Sequence, residues 1–393
     1  MVKIEQESRC CGCGACAQSC PVGCITMVEG TLGALFPRVD QKQCVDCGAC
    51  ERVCPMNDAI DTHVSEQRAY AAYSRDQAVR HRGSSGGMFE TFSRYLLSQG
   101  YKVFGASFSE DLVLRCTSAS TEEELLPLLK SKYLQSNMTE QYANIRRLLS
   151  SGEKIFFVGT PCQVAALKRY LGRDYDTLLL ADFFCHGVPS QKFFDECRKY
   201  EEKRLRGTLV GYEFRTKVKK GATPHYVTVS YERNGRKHRR IGYYYDSPFY
   251  ALFQQYITLR ESCYACPFAS RERVSDLTIG DFHEIDRYVQ GINRFDGVST
   301  VITNTSRGRR LFEDVRSSLC VHEVDVEGLI ADGVVFAGAT PRPSKRDAFV
   351  ADHRSYTTEA LIQKYVPRKR YIKQRIYYRL PQAMRKLLKK HFT

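Results

Sequence analysis

Acidic residues are missing from one end of this 393-residue chain. From Arg368 onward there are ten Lys or Arg and no Asp or Glu. Most of the formal charge of +15 sits there, and the rest is only mildly basic. A nucleic-acid groove through the body is therefore not expected. No run of eighteen or more uninterrupted apolar residues occurs, so no membrane-spanning helix is expected. The opening MVKIEQESRC lacks an apolar segment and a cleavage site, so a secretory leader is not expected either. The Rossmann and Walker glycine spacings are absent. What remains is ordinary globular composition, 43% hydrophobic and 26% charged, which excludes a mostly disordered chain or a fibre. The length suits two or three domains.

Cysteine is what the sequence has in abundance: 17 residues, crowded toward the start. In a small secreted protein such a count suggests disulfides, but a large chain without a leader points to metal ligation in a reducing cytoplasm. The first 60 residues hold an internal repeat. CCGCGACAQSCPVGC (10–24) and CVDCGACERVCP (44–55) share Cys-x-x-Cys-Gly-Ala-Cys-x-x-x-Cys-Pro. This is the spacing of bacterial two-cluster ferredoxins, in which the fourth Cys of each run serves the other cluster. It assigns one 4Fe-4S cluster to Cys10, Cys13, Cys16 and Cys54, and a second to Cys44, Cys47, Cys50 and Cys20. Zinc would want two pairs with a longer gap. Cys11 and Cys24 are left over and read as buried structural thiols. So small a unit has little apolar core and must be held by its metal.

Beyond residue 67 the pattern changes. Strands are expected at 69–74, 101–108, 154–158, 177–184, 276–280 and 298–303. Helices are expected at 88–98, 121–130, 139–150, 161–171, 191–203 and 246–259. Apolar strands alternating with helices argue for a parallel sheet. Residues 208–241 read as antiparallel strands, with Asn234-Gly235 as a hairpin turn. Residues 338–348 read as a linker, and the tail from Tyr356 as a basic helix. The expected architecture is an α+β ferredoxin-like dicluster domain (1–62), then an α/β domain with a mixed, partly parallel sheet (63–150 and 151–345). A basic helical tail (346–393) follows.

Four later cysteines look placed. Cys162 opens a helix after a strand, where the helix dipole favours a thiolate. Cys185 ends the next strand, and ligand sites in parallel sheets lie at strand carboxyl ends. Cys263 and Cys266 form a Cys-x-x-Cys-Pro pair. Together the four can hold a third 4Fe-4S cluster; the plainer reading is two core cysteines and a redox dithiol. Cys116, Cys197 and Cys320 read as structural. Arg82, Gly83, Ser84, Ser85, Gly86 and Gly87 precede a helix and resemble an anion cradle. Beside electron-transfer clusters, a flavin would convert one-electron to two-electron chemistry. Lys132 and Tyr133 can add charge and a ring. His186 and His283, both at strand ends, are candidate proton donors; the bland alternative is plain hydrogen bonding.

RGSSGGMFE (82–90), KSKYLQS (130–136), VGTPCQVAAL (158–167), CHGVPS (185–190) and LRESCYACPFASRERVSDLTIGDFH (259–283) together resemble the coenzyme F-420 hydrogenase/dehydrogenase beta-subunit family. The resemblance spans roughly residues 1–340. It implies FAD lined by residues 82–87 with Lys132 and Tyr133, and cluster ligation by Cys162, Cys185, Cys263 and Cys266. It also implies reduction by electron relay, without fixing the substrate.

The expected activity is that of an iron–sulfur flavoprotein oxidoreductase. It would link a ferredoxin-like donor or a partner oxidoreductase subunit to a small organic substrate or deazaflavin coenzyme. The alternative is a non-catalytic electron-transfer subunit serving a hydrogenase or dehydrogenase. The tail spaces Ile372, Ile376 and Leu380 at steps of four among basic residues, with Pro381 dividing it. Such a helix suits the inner membrane surface, an acidic partner or a solvated packing role.

Overall fold

The computed structural model describes residues 5–57, 62, 67–218, 226–293 and 296–366, and positions 372, 376, 377, 380 and 384 of the tail. The N-terminal unit is small. Two short helices, Ala15–Ser19 and Ala49–Arg52, follow left-handed Gly14 and Gly48. Strands β1 (Ile25–Glu29) and β2 (Leu35–Val39) pair antiparallel between them. The few apolar residues of this unit pack against its cysteines.

The body is built on an eight-stranded sheet of β3 (Arg68–Ser74), β4 (Tyr101–Phe108), β5 (Leu114–Ala119), β6 (Lys154–Val158) and β7 (Leu178–Phe183). The set is completed by β11 (Leu277–Asp281), β12 (Ser299–Thr303) and β13 (Leu319–Val324). The spatial order is β13-β3-β12-β11-β7-β6-β4-β5. Strands β4, β6, β7 and β11 run parallel, and β3 shares their direction because β12 pairs antiparallel with both β3 and β11. Successive side chains on these strands alternate between two cores. Phe104, Ile155, Phe157, Leu178 and Leu180 face helices Gln141–Ser150 and Pro161–Leu171. Val103, Phe156, Leu179 and Ala181 face Met88–Ser98 and Ser306–Asp314.

Helix Pro161–Leu171 shows how sequence sets the site. Thr160 and Gln163 close a capping box, Pro161 takes the first helical position, and left-handed Gly172 ends the helix. Cys162 is thereby fixed in the first turn, at the carboxyl end of β6.

A second, three-stranded sheet, β8 (Thr208–Thr216), β9 (Tyr226–Arg233) and β10 (Arg236–Tyr243), is antiparallel throughout. Asn234 (φ 53°) and Gly235 (φ 70°) form its expected two-residue hairpin turn.

The structure corrects three sequence expectations. The helix expected at 246–259 is only Pro248–Phe253; the chain then turns, with Tyr256 left-handed at φ 58°. The helix expected at 121–130 stops at Leu125, and Pro127 lies in a 3-10 turn, Leu126–Leu128. The linker expected at 338–348 runs into helix Arg346–His353, followed by Thr358–Tyr365. Phe349, Leu361, Ile362 and Tyr365 of these helices lie in the core of the second sheet. The segment up to 366 is therefore packed structure, and the basic stretch beyond it lies almost wholly outside the described residues. Of its described positions, Ile372, Ile376 and Met384 are exposed. No helix among the described residues is long and apolar enough to cross a membrane.

Phe349 is fully buried against Phe193, His353 and Tyr365. Phe349→Ala is expected to lower unfolding free energy by about 3–5 kcal/mol in denaturant titration. A change under about 0.5 kcal/mol, the size expected of an exposed surface site, would restore the view of a loosely attached tail.

Candidate functional site

Two cavities in the N-terminal unit divide its cysteines. One is lined by Cys10, Cys13, Cys16 and Cys54, with Cys11 beside them. The other is lined by Cys20, Cys44, Cys47 and Cys50, with Cys24. The fourth cysteine of each run thus reaches into the other run's cavity. The Cys20 and Cys24 sulfurs lie 3.4 Å apart, and no cysteine of the chain is in a disulfide. The second cavity is at the surface: Cys47 is exposed, and Val45 beside it is 60% exposed.

The first cavity faces the body. Gln135 Nε2 donates to the carbonyls of Cys11 (2.8 Å) and Gly12 (2.9 Å). The Tyr142 hydroxyl donates to that of Cys13 at 3.1 Å. Arg260 Nη1 (3.2 Å) and Ser262 Oγ (2.8 Å) donate to that of Cys10. Gly12 has φ +66°, and a Cβ there would lie 2.2 Å from Arg260 Nη2, so only glycine fits.

Cys162, Cys185, Cys263 and Cys266 come together at the carboxyl edge of the sheet. Each of the four lies within electrostatic reach of the other three. They arrive from the ends of β6 and β7 and from the 3-10 turn Glu261–Ala265 and its exit. Gly187 (φ +106°) permits the approach, since a Cβ there would meet Cys263 Cβ at 2.9 Å. Cys11 interacts with Cys162, and Cys10 also lies within reach of it, so this group adjoins the first cavity.

Burial pushes the Cys263 thiol up to about 12 and the Cys266 thiol to about 11. It also raises Cys185 well above the ordinary range. Such thiols are neutral at pH 7 on their own; coordination to metal is what deprotonates them. The four thiols round each N-terminal cavity suit the corners of a cluster, so these two donor sets fit iron–sulfur clusters.

Residues 82–87 lie on the same edge. Gly87 (φ +88°) precedes helix Met88–Ser98, whose N-terminus has no side-chain cap. Its first-turn N–H groups therefore have no intrahelical acceptor. Several expected cofactor contacts are already engaged within the protein. Arg82 pairs with buried Glu90. Ser84 Oγ accepts from the Ser131 N–H, Ser85 Oγ donates to Val298 O, and the Gly86 N–H donates to Ser299 Oγ. Lys132 Nζ donates to the carbonyls of Pro127 and Leu129, and burial beside Lys130 lowers it to about 7. Tyr133 stacks on Tyr250 and Phe253.

Sequence reasoning missed the residue that ties this edge together, Arg215. It lies at the end of β8, with its side chain 7% exposed. Its Nη1 donates to Tyr133 Oη and Asp281 Oδ2, both at 2.8 Å, and its Nη2 to Ser84 O at 3.0 Å. Burial alone would raise Asp281, but the Arg215 guanidinium carries it down to about 2. Lys217, two residues on, donates to the carbonyls of Arg80, Ser85 and Asp296. The antiparallel pattern of 208–241 marked the strand; no local motif marked the arginine. His186 follows β7 and His283 follows β11, both with exposed side chains. Partial desolvation and His283 lower the pKa of His186 against the pull of Asp281, so the three share one region.

Residues 152–328 match the family model for the carboxy-terminal part of the coenzyme F420 hydrogenase/dehydrogenase beta subunit. Residues 9–58 match the 4Fe-4S dicluster domain. The resemblance read from the sequence is borne out over these two matched stretches, 9–58 and 152–328. Among curated proteins, none matches the chain. One similar solved structure is the xenon-derivatised F420-reducing NiFe hydrogenase complex from Methanosarcina barkeri. It is 16% identical with a TM-score of 0.40, covering 81% of this chain and 94% of that one.

Asp281→Asn would leave Arg215 buried without a counter-charge. Unfolding free energy at pH 7 is expected to fall by about 3–5 kcal/mol. The folded Asp281 titrates near 2, below its unfolded value. Its contribution is therefore full above about pH 4 and fades as pH falls toward 2. Denaturant curves of wild type and variant should differ at pH 7 and converge in acid. Coincident curves at pH 7 would mean the pair does not hold this edge.

Proposed function

We propose that the chain is an iron–sulfur flavoprotein oxidoreductase. It would pass electrons between a ferredoxin-like carrier or partner subunit at the exposed Cys47 edge and a small organic substrate or deazaflavin coenzyme at the carboxyl edge of the large sheet. The observation that carries this reading is the meeting of Cys162, Cys185, Cys263 and Cys266 beside the loop of Cys10 and Cys11. When bound, clusters on the three cysteine groups and FAD would supply one-electron transport and its conversion to two-electron chemistry.

The chain's own residues then have distinct tasks. The uncapped N-terminus of Met88–Ser98 offers N–H groups to a cofactor phosphate. Arg215 and Lys217 hold the loop of Ser84 and Ser85 in place below it. His186 is a candidate to exchange a proton with a substrate, its pKa lowered by desolvation and by His283. His283, at the neighbouring strand end, is the second candidate for that role.

A second reading, an electron-transfer subunit that does no substrate chemistry, is favoured by the internal partners of Arg82, Lys132 and Tyr133. Those groups are less free for a flavin than their positions in the sequence suggested.

Iron, sulfide and flavin should be quantified on one anaerobically purified sample. The oxidoreductase reading expects about twelve iron and one FAD per chain, and Cys263→Ser should remove about four iron while sparing the rest. About eight iron without flavin, unchanged in Cys263→Ser, would leave the electron carrier as the account.

A further inference from the structure

Arg260 is a buried cation with an unusual set of partners. It is 3% exposed. Its Nε and Nη2 donate to Gln135 Oε1 at 3.1 and 2.7 Å, and its Nη1 to the Cys10 carbonyl at 3.2 Å. All these acceptors are neutral. Among the described residues, no carboxylate pairs with it. Of the four other buried arginines, three have a carboxylate within 4 Å, Arg215 with Asp281, Arg273 with Asp182 and Arg346 with Glu261, while Arg80 donates to the carbonyls of Gly297 and Asn293 within reach of Asp296. A buried charge without a counter-charge is costly.

The anionic groups that can answer it are thiolates. Arg260 sits against the Gly12 backbone in the first cysteine loop, three residues before Cys263. It acts electrostatically on Cys10 of the first cavity and on Cys162 and Cys263 of the later group. One fixed positive charge is thus shared by two neighbouring thiol groups.

We infer that Arg260 is a positioning residue for electron transfer, a fixed charge wedged between the Cys10 group and the Cys162 group that raises the reduction potential of whatever cluster each holds. An added electron on either side is stabilised by the same guanidinium. The Cys20 group, whose nearest loop lies at the surface, should not feel it. The part concerning Cys162 rests on the proposed third cluster; the part concerning Cys10 does not.

The test is a redox titration of the intact, cluster-loaded protein, followed by electron paramagnetic resonance, with iron counted in each sample. Arg260→Gln should shift the reduction equilibrium of the inner clusters at least tenfold toward the oxidised form, 59 mV for one electron. Arg260→Lys, which keeps the charge, should restore most of that shift, and the signal of the outer cluster should stay in place. Should Arg260→Gln fail to retain iron, Gln135→Glu decides. It sets a carboxylate where Oε1 already accepts two Arg260 bonds, and should shift the potential in the same direction. Unchanged potentials at full iron content, or equal shifts for Lys and Gln, would overturn the inference. An unshifted Gln135→Glu would do so as well. If the protein holds only about eight iron, the third-cluster reading fails while the shift at the Cys10 cluster still stands or falls by itself.

Discussion

The arrangement of this molecule depends on how the loop of residues 10–13 is held. That loop must turn its thiols toward one cavity, which leaves its carbonyls pointing away and needing donors. The body supplies them from three separate segments: Gln135, Tyr142, and the pair Arg260 and Ser262. The donors are side chains on packed elements. Tyr142 is fully buried in the core of its helix, and Arg260 is wedged under Gly12. The dicluster unit is therefore seated by its own metal-binding backbone, so the inner thiol group and the later cysteines share a wall. Van der Waals contact adds to this where Ala15, fully buried, packs among Tyr142, Val164 and Leu167.

The parallel sheet explains why the later cysteines meet at all. Strands β6 and β7 are neighbours in register, Phe157 opposite Leu180, so the segments that follow them leave from one edge. Cys162 is fixed by a capped first turn and Cys185 by the end of β7, and neither depends on a long flexible loop. Strand β11 lies next to β7 and delivers Asp281 and His283 to the same edge. Antiparallel β12 then brings Val298 and Ser299 back to anchor Ser85 and Gly86. Topology assembles the edge from residues more than 200 positions apart.

Much of this was legible in the chain. Strict cysteine spacing announces its geometry because thiols two residues apart have few ways to surround a cluster. Capped and periodic segments were read nearly to the residue, as at Met88–Ser98, Tyr101–Phe108, Lys154–Val158 and Pro161–Leu171. Edge strands β5 and β13 carry mixed polar residues and lack the apolar run that marked β6 and β7. Helices Ser306–Asp314 and Arg346–His353 are strongly charged, so their few apolar residues, Leu311, Phe312 and Phe349, declare a core only once folded. Arg215 and Arg260 escaped notice for the same reason. An arginine's role depends on what surrounds it in space: Arg215 has no diagnostic neighbour in sequence, and Arg260, three residues before Cys263, has nothing beside it that marks its contact with the Cys10 loop.

Those two arginines show how the chain divides its electrostatic work. Arg215 is neutralised within the protein by Asp281, and the pair spends its hydrogen bonds on Tyr133 and Ser84. A closed pair of this kind fixes geometry and projects little net field beyond its surroundings. Arg260 has only neutral acceptors, the Gln135 amide and the Cys10 carbonyl, so no carboxylate offsets its charge near the sulfurs around it. A protein that merely needed to dock its dicluster unit could have done so with Gln135, Tyr142 and Ser262, which are uncharged donors on the same loop. Adding a full, buried, unmatched positive charge at that seam makes physical sense where the facing groups are anionic and change charge in use. On the proposed reading, the wedge beneath Gly12 serves electron traffic across the seam as well as adhesion.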